Sequence, residues 1–226
     1  MSGMCKLCGT KADLCDSHIV PEFLYKPLYD SKHRTVYASG DLISKKVIQK
    51  GLREKLLCPK CEGRIGEIER RAASKWELPS RLTESSYTIE LCGYSDLKLF
   101  LLSVLWRASV STLPLFGDVS LGRYEEQVHR RVRDQAPGPS TEFPIIGRLL
   151  RSPTDETLCG WLITGPVVAS YGNFDGWLLI FGGLAWICVP LLSALALRPG
   201  ALVEVGGWQL PVLTFDSWQS LTGSFK

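Results

Sequence analysis

An α+β fold is predicted for this 226-residue chain by three features: two Cys-x-x-Cys knuckles, three stretches with apolar residues at helical spacing, and a charge-free C-terminal run that divides into pieces of strand length. The expected architecture is a zinc-stapled module over residues 1–92 joined to a helix-pair and β-sheet domain over residues 93–226. The chain is long enough to bury a sizeable core, as one large domain or two small ones.

The knuckles are Cys5-Lys6-Leu7-Cys8 and Cys58-Pro59-Lys60-Cys61. Two cysteines three apart in a tight turn present both thiolates to one metal, and two such turns complete the closed tetrahedral shell of structural Zn²⁺. Gly9 and Pro59 suit the sharp turns this needs. A disulfide or redox role is the alternative. Residues 1–11 have no apolar core of the kind that opens a signal peptide, so a reducing, cytoplasmic setting is expected. Cys15, Cys92, Cys159 and Cys188 are scattered and read as free, mostly buried thiols.

Residues 12–20 read as a short strand stopped by Pro21, with Asp16 and His18 on one face and Cys15, Ser17 and Ile19 on the other. Residues 22–30 read as a short helical turn carrying three aromatic rings. Thr35–Ser39 and Lys45–Gln49 flank Gly40-Asp41 and predict a hairpin. A helix is predicted from Glu62 to Trp76, directly out of the second knuckle, with Ile65, Ile68, Ala72 and Ala73 at helical spacing.

Composition changes near residue 92. Ser95–Leu113 predicts a helix capped by Ser95, lined by Leu97, Leu101, Val104, Leu105 and Ala108, and ended by Pro114. A second helix runs from about Leu121 to Gln135, with Arg130, Arg131 and Arg133 late in it, where cations complement the helix dipole. Residues 136–140, Ala-Pro-Gly-Pro-Ser, form a loop or linker.

From Gly176 to Leu197 no residue is charged, a run long enough to span a bilayer. Gly182-Gly183 and Pro190 divide it, however, into Trp177–Phe181 and Leu184–Val189. Two buried strands joined by a Gly-Gly turn account for the same residues. Apart from Arg198, the basic flank expected of a membrane span is missing. Buried β-structure is the expectation, with a membrane anchor as the alternative.

The net charge is +3. Residues 1–92 hold 16 Lys and Arg against 12 Asp and Glu, a net +4, and residues 93–226 hold 10 against 11, a net −1. The excess around the knuckles suits a polyanionic partner but is too small to demand one. Arg53, Lys55, Lys60 and Arg64 surround the second knuckle and read either as phosphate clamps or as solvated charges. His33 and His129 are assigned no role.

Together, Cys5–Cys8, Ser17-His18-Ile19-Val20-Pro21 and Leu56-Leu57-Cys58-Pro59-Lys60-Cys61-Glu62 resemble the HNH (ββα-metal) endonuclease superfamily. The likeness is to zinc-knuckle bacterial members whose first motif is His-Ile-x-Pro and whose second is Leu-Cys-x-x-Cys, and it covers about residues 1–75. It implies a ββα-metal module that cleaves DNA, or secondarily RNA, with a divalent cation. By resemblance, His18 opens the His-Ile-x-Pro motif and activates water against the scissile phosphate, a role suited to a neutral imidazole. Residues 93–226 would select the target or a protein partner.

Three positions depart from the family pattern. Ser17 stands where an Asp or His usually holds the cation, Arg53 falls where a bracing Asn is usual, and Glu62 replaces the last His. Carboxylate oxygen suits Mg²⁺ or Mn²⁺, so a one-metal site of Glu62 with Asp16 or Glu69 is the expectation. Asp16 shares a strand face with His18, and Glu69 lies two helical turns beyond Glu62 on the same helix face. The plainer readings are a packed His18 bonded to a carbonyl, and Glu62 and Glu69 as solvated charges paired with Arg70 or Lys60. A non-catalytic zinc module that binds nucleic acid or protein, and a membrane-associated effector, are the competing functions.

Overall fold

A computed structural model describes residues 2–32, 34–39, 44–171, 174–190 and 198–216. Strands β1 (Ser2–Met4) and β2 (Lys11–Asp13) pair antiparallel, and their loop carries the first knuckle. Gly9 closes that loop with φ +71° and donates its N–H to the Cys5 carbonyl at 2.9 Å. The stretch expected as one strand over residues 12–20 is therefore two, since β3 (Asp16–His18) is separate. Pro21 ends it and precedes α1 (Glu22–Tyr25), which runs into a 3₁₀ turn at Lys26–Leu28.

β4 (Arg34–Ser39) and β5 (Ser44–Gln49) form the expected antiparallel pair, while its turn at Gly40-Asp41 and His33 lie outside the described residues. β6 (Arg53–Lys55) pairs antiparallel with β3, placing Arg53 opposite His18 and Glu54 opposite Ser17. Helix α2 (Pro59–Ala73) then starts inside the second knuckle, with Cys58 as its N-cap. It begins three residues before the expected start because Pro59 is pre-set to helical φ and lacks a donor only where none is needed.

β7 (Ser86–Ile89) precedes α3 (Tyr94–Val110), which starts one residue before the expected Ser95 and ends three before Leu113. Its N-cap is Gly93 rather than Ser95, and no side chain caps it. Every residue of α3 from Leu97 to Ala108 is buried, because α2 and α4 (Glu125–Arg133) flank it and the sheet covers it. Even Lys98 is enclosed. Its ammonium donates to the Tyr94 hydroxyl at 3.0 Å and to the carbonyls of Pro139 and Glu142 at 2.6 Å each, which satisfies a buried cation.

The remaining strands are β8 (Ile145–Arg151), β9 (Val167–Tyr171), β10 (Phe174–Phe181), β11 (Leu184–Cys188) and β12 (Trp208–Thr214). With β7 they form a six-stranded sheet in the order β7-β12-β8-β11-β10-β9, antiparallel except for the β12–β8 pair. The two expected C-terminal strands meet here through Gly182 and Gly183, at φ +58° and +83°, in a hairpin turn that requires both positive angles. Trp177, Leu179, Phe181, Leu184 and Trp186 face the helices, while Leu178, Ile180, Ala185 and Ile187 build a second core on the opposite face. Residues 191–197 of the apolar run lie outside the described residues. Among the described residues, no helix is long and apolar enough to cross a membrane.

One hydrophobic core runs from Cys5 to Leu210. A chain of aromatic contacts threads it: Phe23 to Trp76 at 5.7 Å, Trp76 to Phe100 at 5.6 Å, Phe100 to Phe181 at 6.1 Å and Phe181 to Trp186 at 5.6 Å. These rings join α1, α3 and the sheet. Strand β7, which lies before the expected division at residue 92, pairs with β12 near the other end of the chain.

Candidate functional site

The Sγ atoms of Cys5, Cys8, Cys58 and Cys61 lie within 4.8 Å of one another, and together could hold a metal ion such as zinc. Cys8 Sγ is 3.8 Å from Cys58 Sγ. A tetrahedron with metal–sulfur bonds of about 2.3 Å has an edge of about 3.8 Å, whereas a disulfide would need about 2 Å. All eight cysteines are free thiols. Backbone bonds lock the two knuckles together: Lys6 N donates to Leu56 O at 2.9 Å, and Cys15 N to Leu57 O at 2.8 Å. Hydrogen bonds from Thr10 pull the exposed Cys8 thiol down to about 6, and burial pushes the Cys61 thiol up.

Three side chains converge behind the knuckle. Ser17 is fully buried on β3, and its Oγ donates to Glu62 Oε2 at 2.5 Å. Glu62 sits in the first turn of α2, where a carboxylate is favoured by the helix dipole. Burial, followed by the negative charge of Glu62, raises the nearby Cys15 thiol.

His18 lies on the other face of β3. Its Nε2 is 2.9 Å from the Lys50 carbonyl, and Arg53 Nε lies 3.0 Å from the same nitrogen and 3.1 Å from the same carbonyl. A carbonyl has two lone pairs, so Lys50 O can accept from both N–H groups. Arg53 Nε donates to both His18 Nε2 and the Lys50 carbonyl, and Nε2 itself donates to that carbonyl only in the tautomer that carries its proton. Burial and then the Arg53 guanidinium hold His18 below its ordinary value of 6.5, so it is neutral at pH 7.

The structure does not bring Asp16 and Glu69 to Glu62. Asp16 is 3.7 Å from Arg53 Nη1 at the surface. Glu69 is 2.6 Å from Nη1 of the buried Arg107, a close ion pair that is not aligned as a hydrogen bond. Among the described residues, the four cysteines are the one group of three or more Cys, His, Asp or Glu gathered closely enough for a metal. The oxygen donors that do meet are Glu62 and Ser17. The plainer alternative, Glu69 paired with Arg70 or Lys60, gives way to Arg107, and Arg70 is bonded to Glu67.

Of the four basic residues around the second knuckle, Lys55 and Lys60 are exposed and Arg53 is half-buried beside His18. Arg64 is engaged within the fold, donating to Arg133 O at 2.5 Å.

Two contributors are absent from the sequence-based reading. His129 Nε2 donates to the Leu7 carbonyl at 2.8 Å, and its ring packs on Trp106 at 5.6 Å, so α4 braces the first knuckle. Since a carbonyl only accepts, Nε2 is the donor there. Arg107 donates to the His18 carbonyl at 2.7 Å. Its one sequence signal is that it is the single charged residue of 99–110.

No protein-family model, characterised protein or solved structure matches the chain.

Proposed function

We propose that the chain is an HNH-like, divalent-metal-dependent endonuclease that cleaves DNA, or secondarily RNA, in the cytoplasm. The observation that carries this reading is the meeting of Ser17 and Glu62 at 2.5 Å, between a strand bearing His18 and the first turn of the helix leaving the second knuckle. These are two of the positions the family uses for its cation, and the order β3, β6, α2 is the one the resemblance implies. Zn²⁺ on Cys5, Cys8, Cys58 and Cys61 is the structural staple.

In this reading His18 is the general base. The neutral imidazole, held beside Lys50 O and Arg53, takes a proton from a water as its oxygen attacks phosphorus. The P–O3′ bond breaks, leaving a 5′ phosphate and a 3′ hydroxyl. Arg53, beside the imidazole, supplies a fixed positive charge for a phosphate oxygen. Glu62 and Ser17 are the hard oxygen donors that would hold Mg²⁺ or Mn²⁺, with water and phosphate completing the shell. A cation there would stabilise charge on the phosphoryl group and the leaving oxygen.

Residues 93–226 would contribute target or partner selection. One observation favours a second reading, a non-catalytic zinc module binding nucleic acid or protein: Asp16 and Glu69 are both held by arginines rather than left for a cation. Relaxation of supercoiled plasmid by zinc-loaded protein in Mg²⁺ or Mn²⁺, with end-group analysis, tests the choice. Nicks bearing 5′ phosphate support the enzyme. Retarded but uncut DNA supports the binding module.

A further inference from the structure

Arg107 is 1 % exposed, in the last turn of helix α3, outside the segment that carries the family resemblance. A buried guanidinium is tolerated only when its charge and donors are met. Here they are met by three elements. Nη1 donates to the backbone carbonyl of His18 on β3 at 2.7 Å and lies 2.6 Å from Glu69 on α2. Nε donates to Ser103 O at 3.1 Å, and Nη2 to Ser103 Oγ at 3.4 Å, both within α3.

The His18 carbonyl sits at the end of the short β3–β6 ladder, where His18 lies opposite Arg53 and Ile19 N donates to Leu52 O at 3.1 Å. We propose that Arg107 is a positioning residue for His18: its guanidinium, clamped by Glu69 and Ser103, holds the His18 carbonyl and thereby sets where the imidazole stands. The inference rests on reading His18 as the base. It also gives Glu69 a purpose, as the counter-ion of the clamp. Through α3, the C-terminal part of the chain reaches the reactive strand.

The test compares wild type with Arg107→Met and Arg107→Lys, each checked for zinc content and thermal melting, and with Ser109→Ala as a control on the same helix, whose hydroxyl bonds Trp106 O rather than the clamp. A misplacement of about 1 Å in a reacting group costs roughly 10²-fold in rate. Arg107→Met should lower kcat by about that factor with KM within about twofold, Arg107→Lys by less, and Ser109→Ala hardly at all. A folded Arg107→Met with wild-type kcat overturns the proposal. If Arg107→Met does not fold, the same criterion applies to Arg107→Lys.

Imidazole ¹H–¹⁵N spectra read the same clamp whether or not the protein cleaves anything. Wild type should show His18 fixed in one tautomer, and the Arg107 variants should show both tautomers in exchange. An unchanged His18 signal in a folded variant overturns the clamp even if no nuclease activity is found. A changed signal without activity instead retires the reading of His18 as a base.

Discussion

Cys8 and Cys58 bring their sulfurs to 3.8 Å across fifty residues of chain. The loop between them contains β2, β3 and β6, so whatever joins the thiolates also fixes the strand that bears Ser17 and His18. Metal affinity at such a site is folding free energy, because no preformed site exists in the unfolded chain.

Cys58→Ser should therefore lose the metal and leave the N-terminal part largely unfolded. Elemental analysis with far-ultraviolet circular dichroism checks this, the wild type being expected to carry one zinc per chain. Well under one zinc per chain in native protein would contradict the staple.

Ile180→Asp should destabilise the fold by about 4 kcal/mol, since Ile180 is fully buried among apolar side chains on the sheet face away from the helices, where a carboxylate is costly. Urea unfolding measures the difference. A loss below about 1 kcal/mol would mean that the site is wetter than its burial implies.

Glu62→Ala should weaken Mn²⁺ binding and remove the cation dependence of cleavage while zinc content stays at the wild-type level. Titration followed by electron paramagnetic resonance reads the Mn²⁺ affinity. Equal affinity in variant and wild type would place the cation elsewhere.

The rate should be nearly flat around pH 7 and fall with acid along a limb whose apparent pKa lies below 6.5. Burial and Arg53 depress the His18 value, so the neutral, basic form persists to lower pH than in a free imidazole. The same shift makes the unfolded chain bind the extra proton first, so stability also declines as pH falls through the unfolded value toward the folded one. A limb above pH 7 in single-turnover rates would contradict the assignment.

Much of the fold is legible in the sequence where its cause is local. The Gly-Gly turn between Trp177–Phe181 and Leu184–Val189 and the start of α2 at a knuckle are written in short-range turn chemistry. The pairing of β12 with both β7 and β8 is not, because strands so far apart share no local pattern that marks their register. Ser95 is a good cap by residue type, yet the chain enters α3 at Gly93, where the backbone sets the first turn. At the site, the gathering of the four cysteines follows from motif spacing, whereas the Ser17–Glu62 contact does not, since Asp16 or Glu69 is the partner the sequence suggests for Glu62. The partners of Asp16 and Glu69 do not, since helical periodicity places Glu69 on a face without saying that Arg107 of another helix fills the space beside it.

The most direct measurement is the single-turnover rate of phosphodiester cleavage by zinc-loaded wild type and His18→Ala, side by side in Mg²⁺ or Mn²⁺, with zinc content and DNA binding measured on the same samples. Removal of a general base should slow cleavage by about 10²–10⁴-fold while zinc content and binding hold. Equal rates in the two proteins, or DNA left uncut by the wild type, would contradict the account.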